Sequence, residues 1–186
     1  MPHPALTNDQ DEVKKQFDSW LEPMVPAGIE AHIDQFEGLD NPDVSLVADI
    51  SVHGSLGTAT SRRLMLPGFF FETRGEHPFV DQEKRLEPVD MHYGEQVTDQ
   101  VTYRLPAGLE VEGAPQDGDT LWASHADLTT KTVSAAGKIT VFRQLSRAFT
   151  FAKAEEYQDL RGFYQKVAAS DQQQLVLSHA PAAKGN

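Results

Sequence analysis

From Gly28 to about Thr150 apolar residues recur at every second position, and this period limits the fold more sharply than composition does. Leu46, Ala48, Ile50 and Val52 alternate with Val47, Asp49 and Ser51. Val97, Asp99, Val101, Tyr103 and Leu105 share one side, with Thr98, Gln100, Thr102 and Arg104 on the other. Side chains two residues apart project from the same face of a strand, so these segments are strands with one face buried. The same reading covers Ile29 to Phe36, Thr58 to Leu66, Leu109 to Glu112, Thr120 to Ser124, Leu128 to Ser134 and Ile139 to Leu145, with Gln174 to Leu177 as a short last strand. Asp99 is the one charge on its apolar face, which puts the register of that strand in question.

Helical spacing brackets the strands. Asp9 to Leu21 sets Val13, Phe17, Trp20 and Leu21 on one stripe; Thr7 or Asn8 is placed to cap it, and Pro23 and Pro26 stop it. Lys153 to Ala169 sets Tyr157, Leu160, Tyr164, Val167 and Ala168 on one face with Phe163 on the flank, and Ser170 and Asp171 end the run. Gly38 to Asp43, Pro106 to Gly108, Gln116 to Asp119 and Ala135 to Lys138 supply residues that accept a positive φ or fix a bend. Strands joined this tightly are expected to pair antiparallel. Pro67 to Tyr93 is too long for a plain connection and is either packed across a sheet or functional.

Charge and composition remove several functions. Sixteen Lys and Arg against 28 Asp and Glu give a net charge of −12, the wrong sign for neutralising phosphates, so nucleic acid is not an expected partner. No apolar run approaches the roughly 20 residues that span a bilayer, so no membrane insertion is expected. Cysteine is absent, which excludes disulfides, thiolate nucleophiles and thiolate metal sites. A chain of 186 residues buries roughly 70% of its unfolded surface and needs none of them for stability.

The remaining chemistry favours structural explanations. His53, His77, His92 and His125 lack the i, i+4 spacing that brings two ligands to one ion, and no metal or other cofactor is expected. Asp117-Gly118-Asp119 and Asp40-Asn41-Pro42-Asp43 stop short of a calcium loop and read as tight turns, with Asx side chains bonding their own backbone. His53-Gly54-Ser55-Leu56-Gly57 lacks the spacing of a nucleophile elbow and reads as a hairpin. The long connection gathers the strongest candidate interaction surface: Phe70, His77, Phe79, Arg85, Asp90, His92 and Tyr93. Against that stands packing, with Phe69, Phe70 and Phe71 plugging a sheet edge and Arg85 pairing with Asp90 to hold the segment down.

Several segments also carry a likeness. Asp11 to Leu21, Phe36 to Val47, Arg62 to Phe71, His77 to Phe79, Arg85 to Asp90, Val97 to Pro115 and Glu155 to Leu177 together resemble the C-terminal β-rich domain, itself of unknown function, of bacterial transglutaminase-like multidomain proteins. The resemblance implies a place after a papain-fold core and an exported parent, periplasmic or extracellular. A transglutaminase-like core attacks through a Cys thiolate, which this sequence lacks, so the chain reads as a fragment outside that core.

These readings converge on a mainly β (α+β) fold, an antiparallel β-sandwich, immunoglobulin-like or related, with a helix packed at each end. Spacing alone does not separate it from a partly open barrel. One domain is expected over residues 7–178, with helices at 7–22 and 153–169 and disordered ends at 1–6 and 179–186. The expected role is a non-catalytic accessory domain that packs against the preceding domains of its parent or presents substrate to the core. The alternative is a module of the cell envelope that binds glycan or extended peptide.

Overall fold

A computed structural model describes residues 10–22, 25, 28–38, 41, 43–69 and 79–179. Phe70, Phe71, His77, the expected helix caps Thr7 and Asn8, the expected disordered end 1–6 and residues 180–186 of the expected disordered tail 179–186 lie outside these residues; His179, counted in that tail, instead closes the last strand. Strands dominate, every pairing between them is antiparallel, and two helices accompany them in an α+β fold with a β-sandwich. Where the sequence reading has one domain, the packing groups the chain into two compact units, Met1–Leu56 and Gly57–Asn186.

The first unit is a helix on a hairpin. Helix α1 (Gln10–Leu21) lies on strand β1 (Ile29–Glu37), which pairs with β2 (Val47–Gly54). Val13, Ile29 and Ile33 are buried between them. Phe17 meets Trp20 and Phe36 edge-on, with ring centres 4.7 and 4.9 Å apart. In the turn between the strands, the Asn41 side-chain oxygen accepts from the Asp43 amide at 3.0 Å, the Asx geometry expected there. His53 to Gly57 is not a hairpin. β2 pairs with β1, and the segment is the connection at which the two units divide.

The second unit contains two four-stranded sheets. The expected strand Thr58 to Leu66 is broken into β3 (Thr58–Ala59) and β4 (Arg63–Pro67). The break is local: Thr60 Oγ1 accepts from the amides of Arg62 and Arg63, offering the backbone a turn in place of a ladder. The strands that follow are β5 (Val89–Asp90), β6 (Glu95–Arg104), β7 (Leu109–Gly113), β8 (Gly118–Trp122), β9 (Ala126–Ala135), β10 (Lys138–Arg147), β11 (Phe151–Ala152) and β12 (Gln174–His179). Helix α2 (Tyr157–Asp171) precedes β12. One sheet runs β6-β10-β9-β8, the other β3-β4-β12-β7, and β5 pairs with β11 apart from both.

Pairing across the first sheet puts Val97, Asp99, Val101 and Tyr103 on the same face as Leu145, Arg143, Val141 and Ile139, and as Leu128, Thr130 and Thr132. The expected register of β6 therefore holds, charge included. Helix α2 closes one end of this face: Tyr157, Leu160, Phe163, Tyr164 and Val167 share a core with Val89, Ala126, Leu128, Phe149 and Ala152. Phe163, expected on the flank, is buried. In the second sheet Leu66, Leu175 and Leu177 are buried, and Tyr103 of β6 donates its hydroxyl to the Pro67 carbonyl of β4. Burial pushes the Tyr103 phenol up to about 12, so it remains a donor at any ordinary pH.

Ala135 to Lys138 forms the expected hairpin, with Gly137 at φ 69°. Pro106 to Gly108 and Gln116 to Asp119 do not form hairpins. Each carries the chain from one four-stranded sheet to the other, because β6 pairs with β10, β7 with β12 and β8 with β9.

Candidate functional site

Residues 79–93 are strapped to the body of the second unit by their backbone. Phe79, half-buried at φ 69°, sets its ring 5.2 Å from Tyr164 and edge-on to Tyr157. Tyr157 donates to the Gln82 carbonyl at 2.8 Å, Gln158 to that of Glu83 at 2.7 Å and Arg161 to that of Val80 at 3.2 Å. Side chains of α2 thus satisfy carbonyls that would otherwise face water, and this fixes a segment with little secondary structure of its own. Packing accounts for Phe69 and Phe79, the first almost fully buried.

Asp90 to Tyr93 turns outward. The amide of His92, at φ 62°, donates to Asp90 Oδ1 at 2.9 Å, and the amide of Tyr93 donates to the Met91 carbonyl at 2.7 Å. Arg147 reaches the Tyr93 carbonyl at 3.4 Å and Glu95 at 3.1 Å, clamping the far side of the turn. The Tyr93 residue is left 66% exposed, and Phe151, paired with Asp90 across β5 and β11, is 52% exposed. Asp90, His92 and Tyr93 therefore form a turn with an open tyrosine near a carboxylate and an imidazole, and the exposed Phe151 stands opposite Asp90 on the neighbouring strand. Arg85 does not pair with Asp90; among the described residues Asp90 faces His92, with Nδ1 3.4 Å from its carboxylate. Of the seven candidates, the structure brings Asp90, His92 and Tyr93 together, turns Phe79 inward, and leaves Arg85 half-buried elsewhere on the segment.

Two arrangements are missing from the sequence reading. His125 stacks on Trp122 with ring centres 4.2 Å apart, while its Nδ1 lies 2.7 Å from the Ala123 carbonyl and its Nε2 3.7 Å from Glu156. The second is a buried ion cluster on the inner face of the first sheet. Arg143 binds Asp171 through Nε at 2.6 Å and Nη2 at 3.0 Å, and its Nη1 lies 3.4 Å from Asp99, the residue opposite it on β6. Desolvation raises the Asp99 pKa above its ordinary value; Arg143 pulls it down and Asp171 pushes it up. The only signal for this cluster in the sequence is Asp99 itself, a charge at an apolar position.

A raised pKa in the folded state means that the native protein holds this proton more tightly than the unfolded chain. The associated stability is complete below the ordinary Asp pKa and is lost as pH rises through the folded value. Asp99→Asn removes that titration, so the variant is expected to gain stability relative to the parent near pH 7 and to lose the gain near pH 3. Urea midpoints at the two pH values check it.

Asp117 and Asp119, weighed against a calcium loop, fasten β8 to β9: Asp117 Oδ1 accepts from the Thr132 amide at 2.6 Å and Asp119 Oδ1 from the Thr129 hydroxyl at 2.8 Å. Among the described residues no three His, Asp or Glu side chains are grouped to hold a metal ion. A shallow hollow of about 530 Å³ lies beside Thr60, Arg62, Arg63 and His179, where Arg63 grips Glu112 through two nitrogens.

Residues 62–177, all within the second unit, match the family described as "Domain of Unknown Function with solved-structure structure (DUF3858)". The chain belongs to this family. The fold also resembles a solved structure described as that of a "putative protease" from Parabacteroides distasonis, with a TM-score of 0.52 and 16% identity over 64% of this chain. The matched part of this chain takes in 24% of that longer chain. No curated protein matches the sequence. No helix among the described residues is long and apolar enough to cross a membrane.

Proposed function

We propose that this chain is a non-catalytic accessory domain of an exported, transglutaminase-like multidomain protein, packing against the catalytic core or holding substrate for it. The observation that carries the reading is the unequal coverage of the likeness, 64% of this chain against 24% of a much longer chain described as a "putative protease". A domain that forms a minor part of such a protein leaves room for the chemistry to reside in the rest. The absence of cysteine supports it, since a thiolate nucleophile must then come from another part of the protein. So does the inward direction of the strongest ionic cluster, whose Arg143 and Asp171 are fully buried and offer a substrate nothing.

The isolated chain is expected to show no amidase, transglutaminase or glycosidase turnover. A rate that survives purification and disappears on replacing one polar residue overturns the reading.

The exposed Tyr93 and Phe151 favour a second reading, a platform for glycan or extended peptide. Tyr93→Ala is then expected to abolish binding on a glycan or peptide array while moving stability by no more than about 0.5 kcal/mol, as for other surface changes. An array with no hits removes this reading.

A further inference from the structure

The two edges of the β1–β2 hairpin are treated differently. Along β1, α1 supplies side chains to the backbone: the Ile33 amide donates to Asp18 Oδ1 at 2.9 Å, and Lys14 Nζ donates to the Asp34 carbonyl at 2.7 Å. Helix α1 thus covers part of that edge. An amide given to α1 points away from β2, so Ile33 and its neighbour Ile50 form a non-hydrogen-bonded pair. Alternation then turns the N–H and C=O groups of Ala48, Ile50 and Val52 outward from β2, where no other described strand pairs with them. Of the usual protections against pairing this edge carries a single charge, Asp49, because Val47–Gly54 has no Lys, no Pro and no bulge of its own.

The two faces beside that edge differ in chemistry. The face shared with α1 presents Ala48 and Val52, both exposed, next to half-buried Ile50. The opposite face presents Glu30, Asp34, Glu37 and Asp49, all exposed, with His32 and His53 and no Lys or Arg. The asymmetry extends to the whole unit: Met1–Leu56 holds eleven Asp and Glu against two Lys, a net charge of −9 out of −12 for the chain.

We propose that the open edge of β2 is a docking site for an extended segment of a partner protein whose side chains alternate between apolar residues and Lys or Arg. Such a strand completes the ladder with its backbone, lays its apolar side against Val52 and Ala48, and sets its cations against the carboxylates of Glu30, Glu37 and Asp49. A second copy of this chain is a poor occupant, because pairing β2 with β2 sets two strongly acidic units against each other. The inference does not depend on the accessory-domain reading.

The test uses the full chain and fluorescein-labelled octapeptides followed by anisotropy at two salt concentrations. An alternating Val-Lys peptide is expected to bind. Its Val-Glu counterpart is not, and a peptide of the same composition with its lysines in one block is expected to bind at least about tenfold more weakly. Ala48→Pro removes an outward N–H, a change that an edge strand tolerates, and should weaken the alternating peptide at least about tenfold with an unchanged urea midpoint. Asp49→Lys keeps the N–H and should weaken it too, by an amount that shrinks as salt rises. Equal binding of the blocked peptide, or full binding to Ala48→Pro, means non-specific charge attraction and overturns the proposal. So does a failure of the alternating peptide to bind, or a dimer of the chain that Ala48→Pro dissolves.

Discussion

Asp171→Ala is expected to destabilise the protein by about 3–5 kcal/mol, the usual result of removing one partner from a buried ion pair. Asp171 is 0% exposed and Arg143 1%, and their two-point contact is the strongest geometry available to a carboxylate and a guanidinium. With Asp171 gone, the cation remains under the sheet with Asp99 as its nearest described carboxylate, one that desolvation already makes harder to ionise. In a unit of this size the loss corresponds to a fall in melting temperature of about 10 °C or more. The double variant Arg143→Met/Asp171→Leu separates the cost of taking one carboxylate from a buried cation from the worth of the pair. Replacing both ions by apolar side chains of similar volume is often neutral, so in an Asp99→Asn background, which leaves no carboxylate facing the missing guanidinium, the double variant should recover most of the loss even though it removes more contacts. Thermal and urea melts of the two variants check both statements. If the double variant is as unstable as Asp171→Ala, the pair itself holds the fold together.

The cluster also marks the boundary of what the sequence discloses. Alternation along β6 shows that Asp99 lies on a buried face but is silent about what meets it there. Its partner Arg143 stands 44 residues away on β10, and the carboxylate that secures Arg143 lies a further 28 residues on, at the last turn of α2. A helix pattern read alone places Asp171 among the polar residues that end the helix. Tertiary packing makes it the most buried acid described. The same limit applies to the Trp122–His125 stack, in which a three-residue turn folds a histidine back over a ring that strand periodicity treats only as an alternating apolar position.

Connections were legible in kind and not in destination. Gly108, at φ 88°, sits in a bend that local chemistry identifies, and Asp117 ends a connection that leads straight into β8. A bend that returns a strand beside its predecessor and one that crosses to a second sheet use the same residues, so turn chemistry predicts a hairpin at Pro106–Gly108 where the chain changes layer. The candidate surface divided along similar lines. Composition marked residues 67–93 as unusual, yet which aromatics face water depended on where α2 offered hydrogen bonds. Phe79 is drawn against Tyr157 and Tyr164, while Tyr93, beyond the last of those bonds, stays open.

Leu160→Ala tests whether α2 is the lid of this core. Leu160 is 0% exposed, in the centre of the cluster formed by Leu128, Ala126, Phe149 and Val89 with the helix's own Tyr157, Phe163, Tyr164 and Val167. Truncation removes three carbons from a close-packed site, and the surrounding rings cannot collapse into the space without leaving their edge-on contacts. The expected cost is about 3 kcal/mol, near the middle of the range for buried leucines. Alanine is the stronger helix former, so the loss cannot be assigned to helix propensity. Trp122 packs against the same cluster and reports its unfolding by fluorescence in a Trp20→Phe background, which silences the other tryptophan. The urea midpoint followed by Trp122 should fall with the slope of the transition unchanged. A loss below about 1 kcal/mol, the level of an ordinary surface change, would mean that α2 is only loosely seated and that the sheet carries its own core.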